Sequence, residues 1–298
     1  MKVHVQHITK TYGLTKALQE ITFEVPAGEI FGIIGPDGAG KTTLFRILAT
    51  LLLPDSGAAS IWGLDIIRDY KKIRNIIGYM PGRFSLYQDL SVIENLTLFA
   101  TVYHATIHDN YHLIKDIYQQ IEPFKHRKAG KLSGGMKQKL ALSCALIHKP
   151  SLLLLDEPTT GVDPVSRKEF WEMLQKLKQQ GITILVSTPY MDEAALCDRI
   201  ALIQNGAFLQ IDTPQKIIDS YPKKLYAMET DHQSQWLPKL REDPAIESAY
   251  IYGERLHLTF KEEAHDTLPG IAPIPPTIED CFIHLMQKKP LVTNVNNP

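Results

Sequence analysis

The feature that most constrains this chain is the run GPDGAGKT at residues 35–42. It follows IFGII (30–34), a continuous apolar run of the kind that makes a strand buried on both faces. It leads into TTLFRILATLL (42–52), a helical stretch. Strand, glycine-rich turn and helix together open a parallel α/β unit. Gly35, Gly38 and Gly40 let the backbone curl until its N–H groups point at a bound anion, and the helix N-terminus adds partial positive charge. Pro36, Asp37 and Ala39 complete the loop, Lys41 reaches terminal phosphates, the Thr42 hydroxyl suits a magnesium ion, and Thr43 belongs to the same phosphate-binding set. An ordinary strand–turn–helix corner has no need of this motif.

The chain continues in the same alternation. Residues 3–9 and 19–25 carry the period-two pattern of antiparallel strands about a turn at Tyr12-Gly13. Residues 88–150 have few strand signals and read as helical. SLLLLD (151–156) is another buried strand, and 166–179 is a helix with Phe170, Trp171, Leu174 and Leu177 on one face. ITILVS (182–187) returns as a strand, and IALIQ and AFLQID form a hairpin about Asn205-Gly206. The pattern predicts an α/β fold: a P-loop NTPase core with a mostly parallel sheet and helices, an antiparallel β subdomain, an α-helical subdomain at about 88–150, and a small C-terminal α/β extension. The expected domains are 1–221 for nucleotide binding and 222–298 for the extension. In the extension, IESAYIYGERLHLTF gives two strands meeting at Gly253-Glu254, LPGIAPIPP (268–276) reads as a proline-rich linker, and a short helix is capped at Thr277 with Asp280 three residues on. The last ten residues are expected to be mobile.

Asp156 and Glu157 end the run SLLLLDE. An acidic residue at a buried strand end beside the loop suits Mg²⁺, which assigns the metal to Thr42 and Asp156. Glu157 is the candidate catalytic residue, a general base for water attacking the terminal phosphate. Two adjacent carboxylates also suit a helix-capping pair, a reading that the neighbouring loop disfavours. A second anion site is written into Ser133, Gly134 and Gly135 ahead of KQKLALSCALI: a serine hydroxyl, two glycine N–H groups and a helix N-terminus. One nucleotide does not need two such sites in one chain.

LSGGMKQKL (132–140), TGVDP (160–164) directly after DEPT, Tyr12 in KTYG and LYQDLSVIENL (86–96) narrow the class further. Over about residues 1–220 the sequence resembles the nucleotide-binding subunits of ABC transporters. PTIEDCFIHLM (276–286) resembles the C-terminal extension of that family's drug- and polysaccharide-export branches. The resemblance implies ATP and Mg²⁺ as cofactors, Tyr12 stacked on adenine, and a D-loop containing Asp163. It implies a head-to-tail dimer with a second ATP-binding subunit, identical or different, in which Ser133, Gly134 and Gly135 of one subunit close over the ATP of the other. Transmembrane permease subunits are the further partners, with the chain cytoplasmic and peripheral on the inner face of the cell membrane. The implied function is ATP-driven export of a small molecule or drug.

Two positions depart from that family's pattern. GYMPG puts Gly82 where the family has Gln, and STPYMDEA (187–194) puts Pro189 where it has His. Glycine has no side chain to reach Mg²⁺ or water, and proline offers neither an imidazole nor a backbone N–H. The expectation is a site that binds Mg-ATP and hydrolyses it slowly or not at all, so that whether the chain is itself an ATPase stays open. Arg83 beside Gly82 suits phosphate, a membrane subunit or solvent.

Composition sets the remaining limits. With 32 basic and 33 acidic residues the net charge is -1, which gives no global pull toward nucleic acid. No apolar run approaches the roughly 18 residues of a membrane span, and MKVHVQHITK carries no signal-peptide core. The three cysteines form no CxxC pair and the histidines show no zinc spacing. A soluble non-transport ABC protein of ribosomes or DNA is the alternative, disfavoured by a single ATP-binding half and a Lys41-to-Ser133 span too short for a long coiled coil. A non-hydrolysing, ATP-sensing regulatory subunit is the third reading.

Overall fold

A computed structural model describes residues 2–261 and 270–288. The chain divides into two compact units, one ending at Pro214 and the other beginning at Gln215.

In the first unit, β1 (Val3–Tyr12) and β2 (Thr15–Val25) form the hairpin that the alternation predicts. β3 (Ile30–Ile34) is buried along its whole length and runs through the glycine loop into α1 (Lys41–Leu48). The helix stops at Leu48 rather than at Leu52. Thr50, at φ 59°, takes the left-handed conformation that usually falls to glycine. The Thr50 N–H then donates to Ile47 O at 3.0 Å and the Leu51 N–H to Arg46 O at 2.8 Å, the crossed pair of bonds that closes a helix C-terminus. The leucines that follow extend the apolar pattern but not the helix.

β4 (Ser56–Ile61) and β5 (Leu64–Asp65) complete an antiparallel sheet of order β2-β1-β4-β5. β4 is rich in small residues with little intrinsic strand preference, so sequence periodicity does not signal it; pairing with β1 makes it a strand. After α2 (Tyr70–Ile76) and β6 (Ile77–Met80) comes the helical stretch: α3 (Val92–Val102), α4 (Ile107–Tyr118) and α5 (Gly134–Leu146), with two short 3₁₀ turns before α5. α3 opens with a reciprocal cap, the Ser91 N–H donating to Glu94 Oε2 at 2.7 Å and the Glu94 N–H to Ser91 Oγ at 3.3 Å.

β7 (Leu152–Asp156), α6 (Pro164–Gln179), β8 (Thr183–Thr188), β9 (Arg199–Gln204) and β10 (Ala207–Asp212) complete the unit. The main sheet runs β10-β9-β3-β8-β7-β6, parallel except for the β9–β10 hairpin. Asn205 and Gly206, both at positive φ, turn that hairpin. Every residue of β3, β7 and β8 is buried, so both faces of the central sheet are covered and register is tightly specified. The β7–β8 register sets Asp156 opposite Ser187, and the end of β3 meets Thr188.

The second unit begins within α7 (Pro214–Asp219) and continues with β11 (Leu225–Glu229), α8 (Gln233–Glu242), β12 (Ile246–Tyr252), β13 (Arg255–Phe260), β14 (Ile271–Ile274) and α9 (Ile278–Lys288). Its sheet is antiparallel, in the order β12-β13-β11-β14. The proline-rich stretch expected to be a linker is, from residue 271, an edge strand. Pro273 pairs opposite Tyr226 there, and an edge position tolerates its missing N–H. Residues 268–269 of that stretch and the tail expected to be mobile lie outside the described residues.

α9 is tied down by more than its predicted cap. Asp280 Oδ2 accepts from the Thr277 N–H and hydroxyl, both at 2.7 Å. Its Oδ1 accepts from Tyr250 Oη at 2.6 Å and lies 2.7 Å from His257 Nδ1, which makes Nδ1 the protonated nitrogen. Asp280 has no exposed surface and His257 almost none. Burial first, and then the bond to Asp280, pushes the Tyr250 phenol pKa up. Asp280→Ala strands the buried His257 and the part-buried donors of Tyr250 and the helix cap, and is expected to destabilise this unit by about 3 kcal/mol. Tyr250→Phe, which deletes one donor and keeps the ring, should cost about 1 kcal/mol. Denaturant midpoints of the full chain check both.

Candidate functional site

The glycine loop is fixed by its neighbours on one side and open on the other. A Cβ at Gly35 would lie 2.1 Å from Ile203 O on β9, and one at Gly40 would lie 2.4 Å from Ala17 O on β2, so neither position has room for a side chain. Gly40 also sits at φ 106° as the N-cap of α1, a conformation that only glycine takes without strain. Gly38, at φ 76°, has nothing within 4 Å of its missing Cβ. Ala39 is buried and its carbonyl accepts from the Gly206 N–H at 2.9 Å, while Pro36 is half-buried and Asp37 is exposed. The loop is thus clamped at Gly35, Ala39 and Gly40 and free at Asp37 and Gly38.

The first helical bond of α1 runs from Leu44 N–H to Gly40 O at 3.1 Å. The N–H groups of Lys41, Thr42 and Thr43 therefore have no intrahelical acceptor. No side chain caps this end and its first turn carries no acid. Such an end attracts anions. Thr42 and Thr43 are half-buried beside it.

Lys41 is 3% exposed. Its ammonium folds back over the loop, donating to Gly35 O at 2.7 Å and Pro36 O at 2.9 Å, and sits 3.1 Å from Glu157 Oε1. A charge this deep needs such partners. Glu157 stands one residue past β7 at φ 50°, strained for a side chain of its kind. Its N–H donates to Ser187 O at 3.1 Å and to Ser187 Oγ at 3.0 Å. Asp156, 1% exposed, accepts from Ser187 Oγ at 2.7 Å. Burial first, and then the charge on Asp156, pushes the nearby Tyr79 phenol up to about 12. Lys41, Glu157 and Asp156 converge where β3, β7 and β8 end.

Both departures from the family pattern lie at the same strand ends. A Cβ on Gly82 would be 3.1 Å from Asp156 O and 3.7 Å from Glu157 Cβ, so the position opposes the two acids without a side chain. Pro189 follows Thr188, whose carbonyl accepts from the Gly35 N–H at 3.3 Å. Beyond it, Arg167 of α6 clamps the next turn, with Nε 3.2 Å from Glu193 Oε1, Nη2 3.1 Å from Asp192 Oδ2 and the guanidinium 4.2 Å over the Tyr190 ring. Arg167 gives no sequence signal, being one more charge on an amphipathic helix.

The other candidates form a second cluster. Ser133 is the N-cap of α5, its Oγ accepting from the Met136 N–H at 3.3 Å, and Gly134 and Gly135 form the first turn rather than preceding the helix. A Cβ on Gly135 would come within 2.6 Å of Ser166 Oγ and 2.9 Å of Ser166 Cβ; one on Gly134 would lie 3.4 Å from Gly161 O. Gly135 thus lets α5 begin directly against the first turn of α6, while the Gly134 distance is ordinary contact. Asp163 caps α6 by accepting from the Ser166 N–H at 3.0 Å, a bond that lowers its carboxyl pKa. Among the described residues, no hydrogen bond or ion pair joins 133–135 to 35–43. Tyr12 is 47% exposed at the tip of the first hairpin. Asp55 steadies its base, pairing with Lys10 at 2.6 Å and accepting from the Thr11 N–H at 2.7 Å.

A parallel sheet whose strand ends carry an uncapped glycine loop, a buried lysine and two acids defines a P-loop nucleotide-binding protein. Comparison with known proteins agrees and narrows it. The family model described as ABC transporter matches residues 18–160. The probable multidrug ABC transporter ATP-binding protein YbhF of Escherichia coli (strain K12) is 39% identical over 283 residues, covering 91% of this chain and 49% of that protein. The Nod factor export ATP-binding protein I of Burkholderia pseudomallei (strain 1710b) is 34% identical over 306 residues, covering 97% of this chain and 98% of that one. A dimeric ATP-binding cassette solved in a post-hydrolysis state with ADP and Pi superposes with a TM-score of 0.64 at 27% identity, covering 71% of this chain and 98% of that one. The chain spans about half the length of the first of these relatives. It belongs to the ATP-binding proteins of the ABC transporter family. Among the described residues no helix is long and apolar enough to cross a membrane.

Gly135→Ala is expected to destabilise the chain by about 1–3 kcal/mol through overpacking on Ser166. Ser166→Gly in the same chain should recover much of that loss, and a double-mutant cycle of denaturant midpoints measures the coupling.

Proposed function

We propose that this chain is the ATP-binding subunit of an export-type transporter, closing on ATP against a second ATP-binding subunit and driving permease subunits in the membrane. The observation that carries the reading is the convergence of the uncapped α1 N-terminus, the buried Lys41 ammonium and the Asp156–Glu157 pair on one loop. The residues present fit Mg-ATP: Gly38 leaves its side of the loop open, and three first-turn N–H groups have no helical acceptor. The names of the relatives, multidrug transport and Nod factor export, favour export. The dimeric cassette among the structural matches favours a paired state. The place of action is the cytoplasmic face of the membrane, reached through the permease.

Bound Mg-ATP supplies the phosphoanhydride bond whose cleavage reopens the pair. Lys41 and the loop N–H groups neutralise the terminal phosphates, Thr42 and Asp156 hold the cation, and Tyr12 takes the base. Glu157, once relieved of Lys41, accepts a proton from water at Oε1. Ser133, Gly134 and Gly135 serve the partner's nucleotide. With Gly82 and Pro189 in place of polar side chains, this chain's own site is slow. Loss of one such donor costs about 100- to 1000-fold in rate, and losses within one unit do not multiply. With a different partner subunit that keeps the Gln and His, the composite arrangement is asymmetric, with fast turnover at the partner's site. The same substitutions favour, as second reading, a subunit that senses ATP without turnover.

Lys41→Ala should abolish nucleotide binding by the isolated chain. Single-turnover assay of the wild-type chain should show slow hydrolysis; steady multi-turnover abolished by Glu157→Gln would refute the impairment. In the complex purified with its native partners, Ser133→Arg should stop ATP turnover while sparing this chain's own nucleotide affinity. Unchanged turnover would remove the shared-site arrangement, and a complex without any turnover would favour the sensing reading.

A further inference from the structure

Asp156 and Glu157 are neighbours in sequence, yet one ends a strand and the other is in the left-handed conformation, so nothing local fixes their relation. The side chain that touches both belongs to Ser187, which lies thirty-one residues from Asp156 and thirty from Glu157 and is fully buried. Its hydroxyl has one proton and two lone pairs. The proton goes to Asp156 Oδ1 at 2.7 Å, and a lone pair receives the Glu157 N–H at 3.0 Å. The Ser187 carbonyl receives the same N–H at 3.1 Å, so the strained Glu157 backbone is held from two directions by one residue. The β7–β8 register presents Ser187 directly opposite Asp156.

We propose that Ser187 is a positioning residue of this site, setting the Asp156 carboxylate for the cation and the Glu157 backbone for its approach to Lys41. The inference rests on the nucleotide-binding reading above. At 82 the chain has no side chain and at 189 no polar one, so neither of those positions supplies a hydrogen bond to orient the two acids. Groups that orient a metal-holding carboxylate typically govern metal affinity about 10- to 100-fold. Ser187 keeps Oδ1 of Asp156 occupied, and Oδ2 lies on the side of Gly82, 3.7 Å from where a Cβ there would stand.

The test measures binding of a non-hydrolysable ATP analogue to the full chain by fluorescence, with Mg²⁺ titrated and with EDTA. Ser187→Ala is expected to need about tenfold more Mg²⁺ for its effect, with affinity in EDTA unchanged. Ser187→Thr, which keeps the hydroxyl, should restore the wild-type Mg²⁺ requirement. A merely structural serine would shift binding equally with and without Mg²⁺. Where alanine fails to fold, Ser187→Cys carries the test, because a thiol is a weak donor and the same shift in Mg²⁺ requirement is expected. An unshifted requirement in the alanine or cysteine variant overturns the proposal, as does a threonine variant no better than alanine. Lys41→Ala is the control. Its loss of binding alongside an unshifted Ser187→Ala defeats the Ser187 role alone, whereas undiminished binding by Lys41→Ala defeats the nucleotide reading and this inference with it.

Discussion

A single buried ammonium organises the functional end of this molecule. Lys41 carries its charge into a place with almost no solvent, and water cannot stabilise it there. Two loop carbonyls and the Glu157 carboxylate do so instead. The carbonyls belong to adjacent residues after β3 and the carboxylate to the residue after β7, so those two strands must end at one level. The glycines that cannot carry a side chain, the left-handed Glu157 and the Gly206 bond to Ala39 all serve that convergence. The pairing of Lys41 with Glu157 also sets the two against any anion that enters. In the proposed function, nucleotide takes the lysine from the glutamate and so frees the glutamate to meet water.

The sheet is what gives those side chains fixed addresses. β3, β7 and β8 are buried throughout and mostly apolar, with polar residues at the ends of β7 and β8, so a slip of one residue would turn every side chain to the opposite face. Asp156 and Ser187 share a register position at the last rung of the β7–β8 pairing. Packing of hydrocarbon far from the site thereby decides which polar atoms meet within it. The second cluster depends on close packing in the same way: α5 can begin against Ser166 because Gly135 has no Cβ.

Contiguous signals are legible in the sequence, and signals that depend on pairing are not. The eight-residue loop, the apolar strands and the Asn205-Gly206 hairpin are read directly, since their physics is local. The end of α1 is misjudged because Leu51 and Leu52 continue an apolar pattern while Thr50 turns the backbone. β4 escapes notice because alanines and serines become a strand only beside β1. The proline-rich stretch becomes an edge strand because β11 offers a free side. Thr277 and Asp280 announce a helix cap, but nothing nearby foretells that Tyr250 and His257 will share the same carboxyl group.

The sequence by itself determined the class of protein, the loop that would face an anion, the pair of acids and the two positions lacking their usual polar groups. The loop and the acids are matters of residue type at short spacing, where covalent geometry and local hydrogen bonding suffice, whereas the class and the two departing positions follow from resemblance to the family. Only the tertiary structure decided that Lys41 is bound to Glu157, that Ser187 bonds both the Asp156 carboxylate and the Glu157 backbone, and that Arg167 pins the turn after Pro189. Those contacts join residues many turns of chain apart. They exist because burial of the apolar strands fixes one register out of several, and periodicity alone carries no record of which strand lies beside which.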